Sequence, residues 1–158
     1  MKTLLIVFQS RSAKTAAMAE AVARGARAAL EEAGAVTEVG IVMRRAPDAG
    51  PDDVLGADAL ILGTPENFGY MSGLMKDFLE RVFYPCEGKV EGRPYAMFVG
   101  AGQDGLGAVR SVERIVTGLR LRKAHEPVIA LRELTPEVIA QCEELGATFS
   151  AGLALGVL

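Results

Sequence analysis

The sequence predicts an α/β fold of doubly wound type: a five-stranded parallel sheet of order 2-1-3-4-5 with helices on both faces. Three observations lead there. Short apolar runs alternate with stretches of helical periodicity along the chain, and such a pattern is buried most simply by right-handed strand–helix–strand crossovers. Three of the runs are apolar throughout, as strands covered on both faces must be. The second and the last runs carry residues that suit a sheet edge.

The first run, Leu4–Phe8, is continuously apolar and reads as a central strand. From Lys14 to Ala33 the residues Met18, Val22, Ala26, Ala29 and Leu30 recur at helical spacing, and Gly34 supplies a left-handed stop. Val36–Met43 is β-branched and partly alternating, with Glu38 and Gly40, hence an edge strand. Arg44–Asp53, with Pro47, Gly50 and Pro51, is turn-rich and leads into a short helix. Ala59–Leu62 is the third strand. Ser72 caps a helix running through Phe83, with Leu74, Met75, Phe78, Leu79 and Val82 on its inner face. Tyr95–Val99 is the fourth strand, followed by a helix over Leu106–Leu121 with Leu106, Val109, Val112, Val116 and Leu119 inward. Val128–Leu131 is the fifth strand; Pro127 before it has no N–H for a central ladder. Thr135-Pro136-Glu137 opens the last helix with a cap and a first-turn proline.

The 158 residues suit one domain, taken as 1–158. Seventeen Lys and Arg against 20 Asp and Glu leave a net charge of −3, too mild for a nucleic-acid-binding surface. Cys86 and Cys142 form neither a CxxC pair nor a zinc-type spacing, so no metal is expected; free thiols are the simpler reading, and nothing requires a disulfide. The N-terminal run ends at Gln9-Ser10-Arg11 without the features of a signal peptide. The uncharged tail Gly146–Leu158 falls short of the about 20 residues of a membrane span and reads as the buried end of the last helix. A cytoplasmic protein with no membrane partner is the expectation.

In open parallel sheets, ligands bind beyond the carboxyl ends of the strands where the order reverses, here between the first and third strands. Two segments flank that point, Gln9–Thr15 and Thr64–Tyr70. The first, Ser10-Arg11-Ser12-Ala13-Lys14-Thr15, runs directly into a helix whose free N–H groups carry partial positive charge. Its hydroxyls and the charges of Arg11 and Lys14 suit a phosphate monoester. A plain helix cap beside a solvated lysine would use the same residues, and the spacing is not that of a P-loop. The second, Gly63-Thr64-Pro65-Glu66-Asn67-Phe68-Gly69-Tyr70-Met71-Ser72-Gly73, has a proline and glycines that let its backbone approach a flat ligand.

These two segments resemble the flavodoxin-like family, in its NAD(P)H-dependent FMN reductase and quinone reductase branch. The first is similar to the family's phosphate loop, with Ala13 where the family has Gly. The second is similar to its flavin-ring loop, and Met75–Arg81 to the helix that follows. The resemblance implies FMN, with Ser10, Arg11, Ser12, Ala13, Lys14 and Thr15 at the phosphate and Pro65, Glu66, Asn67, Phe68, Gly69 and Tyr70 lining the ring. It makes Ala101, Gly102, Gln103 and Gly105 the second wall. That stretch formally matches GxGxxG, but it follows the fourth strand and lacks the acidic partner of a dinucleotide fingerprint.

The family further implies NAD(P)H as donor, with hydride passing through flavin N5 to a quinone or similar acceptor. No catalytic side chain is needed, because the flavin carries the chemistry. The alternative is a flavodoxin-type one-electron carrier; the mild charge and absence of Trp speak against it. A phosphate receiver would need clustered Asp where Ser10 and Thr64 stand. Small-molecule partners are expected, and a homo-oligomer is left open. His125 is read as a surface residue. Arg44 and Arg45, at the ligand end of the second strand, are read as solvated rather than as a dinucleotide-phosphate site.

Overall fold

A computed structural model describes residues 1–158. In chain order the elements are β1 (Lys2–Phe8), α1 (Ala13–Glu32), β2 (Val39–Arg45), α2 (Pro51–Leu55), β3 (Ala59–Asn67), β4 (Tyr70–Met71), α3 (Gly73–Cys86), β5 (Pro94–Ala101), α4 (Leu106–Gly118), β6 (Arg122–Lys123), β7 (Val128–Leu131) and α5 (Pro136–Leu155). The five expected strands are present, and β2-β1-β3-β5 followed by the last strand is the expected order. Two short strands are added. β4 pairs antiparallel with the end of β3, and β6 pairs with β5 beside β7.

The central strands send alternate residues to opposite faces, which is why their sequences are apolar without a break. Leu5, Val7, Leu60, Leu62, Met97 and Val99 pack under α2, α3 and α4. Leu4, Ile6, Ala59, Ile61, Ala96 and Phe98 pack under α1 and α5. Gly63 lies opposite Phe98 in the register, and a Cβ there would fall 2.1 Å from the Phe98 ring.

α1 and α5 meet backbone to backbone. A Cβ on Gly25 would lie 2.0 Å from the carbonyl oxygen of Glu143, and one on Gly146 would lie 1.9 Å from that of Val22. Ser150 Oγ, buried in the same seam, donates to the Ala26 carbonyl at 2.9 Å. The end of α1 is a Schellman motif: Ala35 N–H reaches Leu30 O at 2.8 Å and Gly34 N–H reaches Glu31 O at 3.1 Å, with Gly34 at φ +65°.

Four expectations are corrected in detail. β2 begins at Val39, because Val36–Glu38 form a turn. Leu74 and Leu106 are exposed, each at the first turn of its helix and past the sheet it would cover. α4 ends at Gly118. The C-terminal tail is buried only in part: α5 stops at Leu155 with Gly156 in the left-handed region, leaving Leu155 and Val157 exposed. No helix is long and apolar enough to cross a membrane.

The last strand is split. Ala124 N–H still reaches Tyr95 O at 2.9 Å, but the ladder then lapses until Val128 pairs with Phe98. Pro127, with no N–H, lies in the interruption.

Candidate functional site

The carboxyl ends of β1 and β3 open onto a cleft of about 440 Å³, within the usual range for small-molecule sites. It is lined by Gln9, Arg11, Asn67, Ser72, Gly73 and Leu74. Arg11 and Asn67 were expected from sequence. Gln9, Ser72 and Gly73 lie within the segments read from sequence but were given no ligand contact there, and Leu74 follows directly after the second.

The first wall is the β1–α1 turn. Ser12 is the N-cap of α1 but its side chain makes no capping bond, and Ser10 Oγ accepts only from Ala16 N–H, at 3.2 Å. The backbone N–H groups of Ser12, Ala13, Lys14 and Thr15 therefore have no acceptor in the chain. The other long helices that start at this end of the sheet are occupied: α3 by Ser72 Oγ at 3.2 Å from Met75 N, α5 by Thr135 Oγ1 at 3.2 Å from Val138 N, and α4 by Glu66. α1 thus keeps the open anion-binding terminus.

Lys14 is placed differently from the sequence reading. Its Nζ donates to the carbonyls of Ala101 at 3.1 Å and Arg132 at 2.8 Å, tying the first wall to the ends of β5 and β7. Arg132 is held at φ +61°, and its N–H donates to Ala101 O at 2.7 Å. Gly100 leaves room for this crossing: a Cβ there would lie 3.0 Å from Thr15 Oγ1 and 3.1 Å from Lys14 Cε. The Lys14 ammonium is thus engaged by the chain, while Arg11 lies exposed at the cleft.

The second wall is a β-hairpin rather than an irregular loop. β3 continues through Asn67, turns at Phe68-Gly69 and returns as β4, with Asn67 opposite Tyr70. Phe68 and Gly69 have φ of +53° and +69°, the positive pair that a two-residue type I′ turn demands. Gly adopts this conformation readily; for Phe it is strained. Phe68 is fully exposed, which removes the possibility that its ring sits in the core. The hairpin is braced at its base by Thr64, whose Oγ1 accepts from Ser72 N–H at 2.9 Å and donates to Pro65 O at 2.9 Å.

The third wall is the turn after β5. The N–H groups of Gly102, Gln103 and Asp104 have no acceptor in the chain, and Gly105 turns into α4 at φ +76°. The Glu66 side chain points into this turn and does not line the cleft.

One buried polar atom in the region is unpartnered. Gln9 is 4% exposed, its Nε2 donates to Ser10 O at 3.3 Å, and its Oε1 has no partner. An orphaned acceptor beside a cleft is a place for a ligand donor. A phosphate at the start of α1, a flat polar head between hairpin and turn, and a donor facing Gln9 together fit FMN. Neither thiol takes part: Cys86 and Cys142 are buried in the two cores, and burial, aided by Glu143, pushes the Cys142 thiol up to about 12.

Comparison with known proteins bears on the family and the fold. The family model described as NADPH-dependent FMN reductase matches residues 1–133. A flavodoxin of Aquifex aeolicus (strain VF5) is 35% identical over 119 residues, covering 75% of this chain and 60% of that protein. An NAD(P)H dehydrogenase (quinone) of Acidithiobacillus ferrooxidans is 34% identical over 120 residues, covering 63% of this chain and 56% of that protein. The chain thus spans little more than half the length of these relatives. Among solved structures, a flavodoxin from the domain Archaea superposes with a TM-score of 0.77 at 19% identity, covering 96% of this chain and 98% of that one. A flavodoxin, WrbA-like protein from Agrobacterium tumefaciens does so at 0.75 and 18%, each chain covered in full. At those identities the superpositions establish the flavodoxin-like fold.

Proposed function

Because the chain belongs to the NADPH-dependent FMN reductase family, we propose that it binds FMN at the β1–β3 cleft and acts as an NAD(P)H-dependent oxidoreductase on a quinone or similar acceptor. The observation that carries this reading is a cleft between the β1–α1 turn and the hairpin where the strand order reverses, beside the open terminus of α1, with the turn 101–105 tied to both walls through Lys14 and Glu66. FMN held there would supply the redox chemistry, passing reducing equivalents from a nicotinamide donor to the acceptor.

The chain's part is to bind, orient and polarise. The open terminus of α1 and the guanidinium of Arg11 hold the phosphate. The hairpin and the turn 101–105 hold the ring from two sides. The free N–H groups of Gly102, Gln103 and Asp104 would be preorganised donors for negative charge on a reduced ring. Phe68, Tyr70 and Leu74 give the mouth of the cleft an apolar rim suited to flat, weakly polar reactants. No side-chain acid or base is required, in keeping with the burial of both thiols and the placement of His125 beside the far end of β5.

Titration with FMN, followed by anaerobic NAD(P)H oxidation with a quinone, tests the reading. Flavin fluorescence should be quenched on binding, and the holoprotein should turn over faster than free FMN; a rate no greater than that of free FMN sinks the enzyme reading. The similarity to the Aquifex flavodoxin favours a second reading, a one-electron carrier. Stepwise reduction that halts at the one-electron stage, with negligible NAD(P)H oxidation, would select it.

A further inference from the structure

Glu66 is the acidic residue of the ring segment, yet its carboxylate is wholly engaged by the chain. Oε1 accepts from Gly105 N–H at 3.2 Å; Oε2 accepts from Gly107 N–H at 3.1 Å and Ala108 N–H at 3.3 Å. These donors belong to the start of α4, where a negative charge is favoured both by the unpaired N–H groups and by the helix dipole. Hydrogen bonds of this charge-assisted kind are the strong ones. Two further contacts tie the same parts together. A Cβ on Gly107 would lie 2.0 Å from the carbonyl oxygen of Gly69, so helix and hairpin tip touch backbone to backbone. Ser111 Oγ accepts from Met71 N–H at 3.1 Å and donates to Ala108 O at 2.8 Å.

We propose that Glu66 is a positioning residue that fixes the separation of the two walls holding the ring, the hairpin and the turn 101–105. The inference rests on the FMN reading above. The hairpin alone is a poor platform: two strands, two residues long on one side, with a strained Phe at the tip. Joined to α4 through Glu66, Gly107 and Ser111, it becomes part of the helix layer. The carboxylate also occupies the terminus of α4, so that a phosphate finds its free donors at α1. One side chain thereby sets both the spacing of the ring site and the end at which the phosphate lies.

The test is Glu66→Gln. The amide keeps the size but turns one acceptor into an NH₂ donor, which then faces an N–H group at Gly105 or at Gly107 and Ala108. Binding of FMN and of riboflavin should each weaken about tenfold, from the loss of charge-assisted bonds and the buried mismatch. Their ratio, which reports the untouched phosphate wall, should stay as in the wild type. The visible circular dichroism of the flavin at saturation should also change, reporting altered ring surroundings. A Gln variant that binds FMN within twofold of wild type, or that weakens FMN alone, overturns the inference and leaves the FMN reading standing. A wild type that binds neither flavin overturns both. Should the variant not fold, hydrogen exchange on the unaltered chain decides. On FMN addition the amides of Tyr70, Met71, Gly105, Gly107 and Ala108 should gain protection together; protection of the hairpin amides alone refutes the coupling.

Discussion

Gly107→Ala isolates the contact between α4 and the hairpin without touching a charge. A Cβ at this position would lie 2.0 Å from Gly69 O, 2.6 Å from Gly69 C and 3.1 Å from Gly69 Cα, whereas ordinary contact begins near 3.4 Å. The obstacle is backbone on both sides, so the hairpin tip must retreat by more than 1 Å. Overpacking of this kind costs about 1–3 kcal/mol. Replacing a helical Gly by Ala returns up to about 1 kcal/mol. The net loss of about 0–3 kcal/mol lowers Tm by several degrees at most. Ligand positioning should suffer more than stability, since a misplacement of about 1 Å can cost as much as 10²-fold in a reacting complex. Turnover should therefore fall by up to about 100-fold, with FMN affinity falling about tenfold by fluorescence quenching. Gly50→Ala, where a Cβ meets nothing within 4 Å, serves as the control. Affinity within twofold of wild type in both variants would refute the claim that the hairpin tip positions the ligand.

Gly25→Ala and Gly146→Ala place a Cβ about 2 Å from a carbonyl oxygen of the facing helix; each should lose about 1–3 kcal/mol or more in urea unfolding, with FMN affinity per folded molecule unchanged. Thr64→Val strands the Ser72 N–H in a buried setting and should cost about 1–3 kcal/mol by thermal denaturation while weakening FMN binding. Lys14→Met removes the tie to the Ala101 and Arg132 carbonyls; the first and third walls should separate, raising proteolytic sensitivity at 101–105 and weakening FMN binding about tenfold or more. The Cys142 thiol, raised by burial and then by Glu143 from 9.0 to about 12, stays protonated in the folded chain where the unfolded chain would ionise. Its stabilising contribution is complete below pH 9 and declines at about 1.4 kcal/mol per pH unit until about pH 12. Cys142→Ala should flatten that part of the urea-midpoint profile.

Fold and site were legible to different depths. The central strands could be read because their fully apolar runs reflect burial on both faces, and the edges because Pro127 and Gly40 are poor members of a central ladder. The Ser72 and Thr135 caps were readable as well, since each bond spans only three residues. The hairpin was not, because nothing local to Phe68 favours a positive φ; the antiparallel pairing of Asn67 with Tyr70 and the contact with α4 impose it. The partners of Lys14 and Glu66 were equally hidden. Lys14 reaches carbonyls 87 and 118 residues away, and Glu66 meets donors 39 to 42 residues on. A charged residue in a ligand segment looks the same in sequence whether it faces a ligand or a neighbouring wall. Gln9 stood in the flanking segment without a role, because an amide just past a strand carries no pattern; only the burial of its Oε1 without a donor marks it.

The split in the last strand has a consequence for how the molecule behaves in company. A sheet edge is a row of unsatisfied peptide groups on which a second chain can build, and nature commonly blunts such rows with proline, charge or a lapse in pairing. Here Pro127 and the lapse from Ala124 to Val128 divide that margin into pieces of two and four residues, while Arg44 and Arg45 terminate the opposite margin with like charge. The β6–β7 flank therefore offers no long flat template, whereas the seven residues of β2 are guarded only by the charge at their end.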